Sequence, residues 1–238
     1  VAFLDADDQW YPEHLERIRG LAERFNDAAF LGSGWCSQTN GAVKEDEYFQ
    51  KHKGAGPHEI NVRRYLELCL DKCRPVWTSV ACIRKTSPAA LNLFPAEERA
   101  KRGGDLHAWL KMMCHHKKMA WSSHIGAVYF QDSVNMVTKT APSSPWLMSR
   151  GIYGQLSDNR SAEEKRLLKK YLNMRLTNAW IDNLRRSNKN FNMVRNLYWQ
   201  GDMVNALKVS LVALWPAVFL KSALSFKSWI RIRLKTNA

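Results

Sequence analysis

An apolar run that ends abruptly in acid is the feature that most limits what this chain can become. Val1-Ala2-Phe3-Leu4 leads straight into Asp5-Ala6-Asp7-Asp8. A short continuous apolar run suits a buried parallel strand, and α/β sheets place their ligands at the carboxyl ends of such strands. Three carboxylates crowded there repel one another unless a partner offsets their charge. Mg²⁺ or Mn²⁺ can do so, because each prefers hard oxygen ligands and is often held by one or two carboxylates plus substrate phosphates. Along an extended chain Asp5 and Asp7 point the same way, so both can face one ligand. Taken alone, the pattern fits a solvated acidic turn ahead of a helix equally well.

The rest of the chain alternates between strand and helix before turning helical. Pro12 suits the first turn of a helix with Glu13 and Glu16 near its positive end. Leu15, Ile18, Ala22 and Phe25 continue it at helical spacing. Ala28–Cys36 reads as a strand, Gly41–Glu59 as a polar loop, Val62–Leu70 as a helix and Val76–Arg84 as a strand. After the polar loop Pro95–Gly104, Leu106, Trp109, Leu110 and Met113 share one helical face. Met119–Gln131 suits one or two strands, and the Pro-Ser-Ser-Pro run at Pro142–Pro145 marks a linker. From Ala162 to about Trp199 the pattern is helical, and Asp202 can cap a last helix. The expected architecture is α/β over residues 1–140 and all-α over residues 141–238.

Charge divides the chain in the same way. The whole carries 36 Lys+Arg against 22 Asp+Glu, a formal net charge of +14. Residues 151–238 hold most of that excess, and no acid follows Asp202. With 45% apolar residues the chain has material for a core, which excludes a disordered polycation. The basic back part calls for an anionic partner, either a membrane surface or nucleic acid. Five scattered cysteines, Cys36, Cys69, Cys73, Cys82 and Cys114, argue against a disulfide framework and for a reducing compartment. Cys69 and Cys73 lack the second close Cys/His pair that a zinc site needs.

The segment VAFLDADDQWYPEHLE resembles the signature of family 2 glycosyltransferases of the GT-A fold, enzymes that build bacterial polysaccharides. The matching residues are Phe3-Leu4, Asp5-Ala6-Asp7-Asp8, Trp10, Pro12 and Leu15-Glu16. The resemblance implies a Rossmann-like domain that takes a nucleotide-diphospho-sugar with Mn²⁺ or Mg²⁺. Asp5 would then contact the donor near its ribose, and Asp7 would bind the metal bridging the diphosphate, with Asp5 beside it. Asp8 could instead cap the next helix.

Inverting sugar transfer also needs a base to take the proton of the acceptor hydroxyl. In the family this is the Asp of a Glu-Asp pair that opens a helix. Gly103-Gly104-Asp105-Leu106-His107-Ala108-Trp109-Leu110 resembles that helix, with Asp105, Trp109 and Leu110 in register. Val76-Trp77-Thr78-Ser79 and Phe94-Pro95 resemble its upstream neighbours. Asp105 is thus the implied base, although a helix-capping Asp would look the same. Gly104 stands where the family usually has Glu, which leaves the acceptor open. The early nucleotide-binding strands of the family have no counterpart, and Val1 opens inside a strand pattern. The expectation is a GT-A domain without its N-terminal part, inactive on its own.

Other residues divide between roles. Trp77 suits donor stacking or core packing equally, whereas Trp109 lies on the apolar helical face. His124 follows the base helix, where some GT-A enzymes supply a further metal ligand. His107, His115 and His116 form no metal motif. Thr78 and Ser79 lack the elbow of a nucleophile. Lys208, Lys221, Lys227, Arg231, Arg233 and Lys235 flank Leu211–Leu220 and Trp229. Residues 203–238 therefore suit an amphipathic segment on an anionic bilayer. That fits a lipid-linked glycan acceptor and a cytoplasmic enzyme peripheral at the inner face of the cell membrane. The alternative is a non-catalytic, degenerate domain of this kind that binds membrane or nucleic acid through its basic helices. Nucleic acid is the weaker choice, since no recognised binding module appears and the acidic cluster opposes it.

Overall fold

The computed structural model describes residues 1–94, 102–134, 136–137, 141, 150–187, 193–215, 219 and 222. The linker motif at Pro142–Pro145 and the tail cations from Lys221 onward lie outside them. The architecture is mixed α/β. Six strands form one sheet: β1 (Gln9–Trp10), β2 (Phe30–Thr39), β3 (Ala42–Glu45), β4 (His58–Asn61), β5 (Cys82–Ile83) and β6 (Lys118–Phe130). At its centre β2 and β6 run parallel, Leu31 opposite Ala120 and Phe130 opposite Gln38, with irregular register around Gly34. Antiparallel partners flank them: β1 and β4 on β6, β3 and β5 on β2.

Helices cover the sheet. They are α1 (His14–Arg24), α2 (Glu47–His52), α3 (Val62–Leu70), α4 (Gly104–His116), α5 (Arg150–Leu156), α6 (Ala162–Ser187) and α7 (Met203–Ala213). Phe30, Leu66, Trp109, Leu110, Met112, Met119 and Trp121 fill the main core. Trp109 is 1% exposed, stacked at 5.5 Å on Phe30 and edge-on at 5.2 Å to Phe3. Leu168, Tyr171, Leu172 and Trp180 of α6 belong to the same cluster, so α6 packs on α3 as part of one core. A smaller cluster of Ile18, Leu21, Ala28, Leu31 and Cys82 seats α1. All five cysteines are buried and free.

Three stretches differ from the sequence expectation. Val1–Leu4 is no buried parallel strand. It makes one antiparallel bridge, Ala2 to Cys82, and leaves Val1 and Leu4 60% and 45% exposed. Its one strand neighbour among the described residues is the two-residue β5, too short to cover it. Gly41–Glu59 is structured rather than loop. Asn40 and Gly41, both at positive φ, turn β2 into β3, as Asn-Gly favours. Asp46 then caps α2 by accepting from Phe49 N at 2.8 Å and also accepts from Trp35 N at 2.8 Å. Val76–Arg84 breaks into a 3-10 turn, Thr78–Val80, and β5.

His14 of α1 lies over Gly126 of β6, where any Cβ would strike its ring and the Ser33 hydroxyl. Its Nδ1 is 3.3 Å from His124 Nε2, and His124 Nδ1 is 3.0 Å from Ser122 Oγ. Burial pushes both rings down to about 4, helped at His124 by the charges of His14 and Arg17. The folded pair is therefore neutral where the unfolded chain binds protons. Stability rises with pH between about 4 and 6.5, by on the order of 3 kcal/mol per ring, and is lost as pH falls through that window. Buried Asp46, raised to about 6, works with the opposite sign, so the difference between variants is the informative quantity. In urea unfolding, His14→Gln should lose about 3 kcal/mol less stability from pH 6.5 to 4 than the parent does. Equal losses would contradict a buried neutral pair.

Candidate active site

The acidic motif is a turn, not an extended strand. Asp8 N donates to Asp5 O at 3.1 Å, which closes residues 5–8 on themselves. The strand alternation of Asp5 with Asp7 does not hold, because the chain must reverse to enter β1. Asp5 and Asp8 are half-buried side by side, while Asp7 occupies the exposed corner. Asp8 does not cap α1, whose N-cap is Glu13.

Two neighbouring hydroxyls bring distant acids together. Ser79 Oγ donates to Asp8 Oδ2 at 2.5 Å and accepts from the Asp5 N–H at 3.1 Å. Its carbonyl accepts from the Trp10 indole at 2.5 Å, which ties the turn to β1. The adjacent Thr78 donates to Asp105 Oδ2 at 3.3 Å. Asp105 sits in the first turn of α4, after Gly103 at φ 86°. The 3-10 turn thus holds the acidic turn on one residue and Asp105 on the next. In the sequence Thr78 and Ser79 read as ordinary strand residues. Their place in Val76-Trp77-Thr78-Ser79, the run that resembles the neighbours of the base helix, is the signal that marks them.

The electrostatics follow from this crowding. Burial pushes Asp5 up to about 6, and the charges of Asp8, Asp105 and Asp7 add to the effect. Asp8 is also raised, by burial first, while its Ser79 hydrogen bond opposes the rise. Asp8 Oδ1 is buried with no hydrogen-bond partner, and neither has the buried Trp77 indole N–H, which lies close enough to favour the Asp8 anion.

These residues fit a hard divalent cation. The donors are all carboxylate oxygens, one is orphaned, and four negative charges converge with no cation of the chain paired to them among the described residues. No three His, Cys, Asp or Glu side chains among the described residues gather into a complete metal cage. A Mg²⁺ or Mn²⁺ that takes the rest of its ligands from phosphates and water needs none.

Trp77 is half-buried and forms a wall beside the acids. It lies 4.7 Å from Tyr129 and 6.2 Å from Trp35 between ring centroids. His124 is not with the carboxylates but paired with His14. His107 is buried in α4, and the His116 ring shares a 2.6 Å hydrogen bond with the Ser87 hydroxyl. Among the described residues no helix is long and apolar enough to cross a membrane. Compared with known proteins, the chain is matched by no family model and by no curated protein.

Proposed function

We propose that this chain carries the catalytic part of a metal-dependent, inverting glycosyltransferase similar to the family 2 enzymes of GT-A fold. It would move a sugar from a nucleotide-diphosphate donor to a hydroxyl of a growing glycan. The observation that carries this reading is the convergence of Asp5, Asp7 and Asp8 with Asp105 across one 3-10 turn.

Each residue has a part in the transfer. Asp5 and Asp8, with the charge of Asp7 beside them, would hold Mn²⁺ or Mg²⁺, which when bound stabilises the departing diphosphate. Asp105 takes the proton of the acceptor hydroxyl as that oxygen bonds to the anomeric carbon and the bond to the diphosphate breaks. Thr78 fixes one carboxylate oxygen of Asp105 and leaves the other for the acceptor. Trp77 offers an indole face to the donor sugar. The acceptor is proposed to be lipid-linked. Met203, Val204, Leu207, Leu211, Leu214 and Trp215 are exposed on and just after α7, beside exposed Lys208. Such a surface suits an anionic bilayer, and co-sedimentation with anionic but not neutral vesicles tests it.

Thermal melting of the chain with a panel of nucleoside diphosphates tests the core of the reading. At least one should raise Tm by about 2 °C or more beyond its effect in EDTA once Mn²⁺ is added, as ligand linkage requires. If Mn²⁺ adds nothing for any of them, the reading fails.

A further inference from the structure

A cleft of about 440 Å³ opens in the helical part of the chain, lined by Tyr153, Lys169, Leu197, Tyr198, Trp199 and Gln200. Its walls come from three places: Tyr153 from α5, Lys169 from α6, and the rest from the segment just before α7. The Tyr153 and Tyr198 rings lie 5.1 Å apart between centroids, tilted by 45°. Lys169 Nζ stands 5.4 Å from the centre of the Tyr153 ring. Trp199 is 37% exposed, although it follows two buried residues, Leu197 and Tyr198.

Helix α6 holds this segment in place. Asn173 is buried, and its side chain grips the backbone of residue 198 on both sides. Its amide N–H donates to Tyr198 O at 3.0 Å, and its Oδ1 accepts from Tyr198 N at 2.8 Å. The same amide donates to Asp202 Oδ2 at 3.1 Å, which ties in the start of α7. A buried amide with both halves satisfied specifies one arrangement of its partners. The aromatic walls are thus set by packing before a ligand arrives, which lowers the cost of binding. Lys169 is the one cation of the lining and forms no ion pair among the described residues, whereas Arg166, three residues earlier, is held by Glu163 at 2.6 Å. Asp202, the acid nearest to Gln200 in the chain, already accepts from Asn173 and Asn205.

Small-molecule sites are concave, roughly 300–1,000 Å³, largely apolar and aromatic, with a few polar groups that orient the ligand. The cleft has that composition. Its aromatic side chains suit a ring with an apolar face. Gln200 offers an amide donor and acceptor to hydroxyls, and Lys169 a point charge to one anionic group. A lipid tail would leave the ammonium and the amide unused, and a polynucleotide would need a row of cations. We propose that the cleft binds a carboxylated sugar, such as a uronic acid residue of an acidic glycan, with its ring on the aromatic side chains and its carboxylate on Lys169. The binding stands without sugar transfer, and only the identity of the ligand with the growing glycan rests on the function proposed above.

NMR titration of the chain in EDTA with the methyl glycosides of glucuronate, galacturonate and N-acetylneuraminate tests the site. At least one should bind saturably, about tenfold more tightly than its uncharged methyl ester, as loss of a charge-assisted pair implies. Lys169→Met should weaken binding of the acid about tenfold, and Lys169→Arg by no more than about threefold. Trp199→Ala should weaken it by about tenfold, and Trp199→Phe by less, since a ring remains. The arginine and phenylalanine variants keep the test valid if a more drastic change disturbs the fold. Binding of none of the three acids by the parent, equal binding of acid and ester, or equal binding by all folded variants would overturn the proposal. So would tighter binding of a nucleoside monophosphate that the same variants weaken. No metal and no transfer step enters the assay, so its failure is distinct from failure of the glycosyltransferase reading.

Discussion

Asp105→Asn is expected to lower sugar-transfer turnover by about a thousandfold, within the range a positioned general base contributes. Asparagine keeps the shape of the side chain and an oxygen for Thr78, whose bond at 3.3 Å is not short. It removes the one property the reaction needs, an unprotonated oxygen able to accept the acceptor proton. Binding of Mn²⁺ and nucleoside diphosphate should stay within about twofold, because Asp105 lies outside the turn that would hold the metal. Steady-state kinetics beside equilibrium titration separates the two. If binding falls as far as turnover, Asp105 is a structural residue of the first turn of α4 and not a base. Relieving one negative charge near Asp5 also argues that the variant will be no less stable than the parent.

Much of the scaffold is legible in the amino-acid sequence. Val62–Leu70 has apolar residues at helical spacing and forms α3 with those bounds. Leu106, Trp109, Leu110 and Met113 announce α4, and the β-branched and aromatic run from Met119 announces β6. What stays hidden depends on contacts far apart in the chain. Asp8 and Ser79 meet across 71 residues, and His14 and His124 across 110. No local pattern encodes such meetings. The acidic motif shows the limit clearly. Alternation gives Asp5 and Asp7 a common direction, yet the chain must reverse there to lay Gln9 and Trp10 on β6. The reversal puts Asp8, not Asp7, beside Asp5 in the half-buried space. Residues 41–59 read as loop for another reason. Tyr48 and Phe49 stand side by side among charges with no helical repeat, but Asp46 caps the turn that buries both.

The second large effect concerns the acidic turn. Asp5→Asn and Asp8→Asn should each weaken Mn²⁺ binding by about tenfold or more, the loss of one charge-assisted ligand. The same variants should melt no lower than the parent in EDTA, and Asp5→Asn should melt higher at pH 7. Burial and three neighbouring carboxylates disfavour the Asp5 anion, so an uncharged side chain relieves the fold. Asp8→Asn keeps an acceptor for Ser79 and removes a charge that burial disfavours. The combination, less metal and no less stability, distinguishes a ligand from a structural carboxylate. A structural carboxylate would lose stability on amidation instead.

Electron paramagnetic resonance of free Mn²⁺, titrated with the chain at pH 7.5 in the presence of a nucleoside diphosphate, tests the central claim most directly. One Mn²⁺ should be bound per chain beyond what the nucleoside diphosphate alone takes up, and the Asp5→Asn/Asp8→Asn double variant should leave the signal close to that of the nucleoside diphosphate alone. Asp158→Asn, at an exposed position away from the turn, should behave as the parent. Undiminished binding by the double variant, or no binding by the parent, would contradict a metal-dependent sugar-transfer site at this turn.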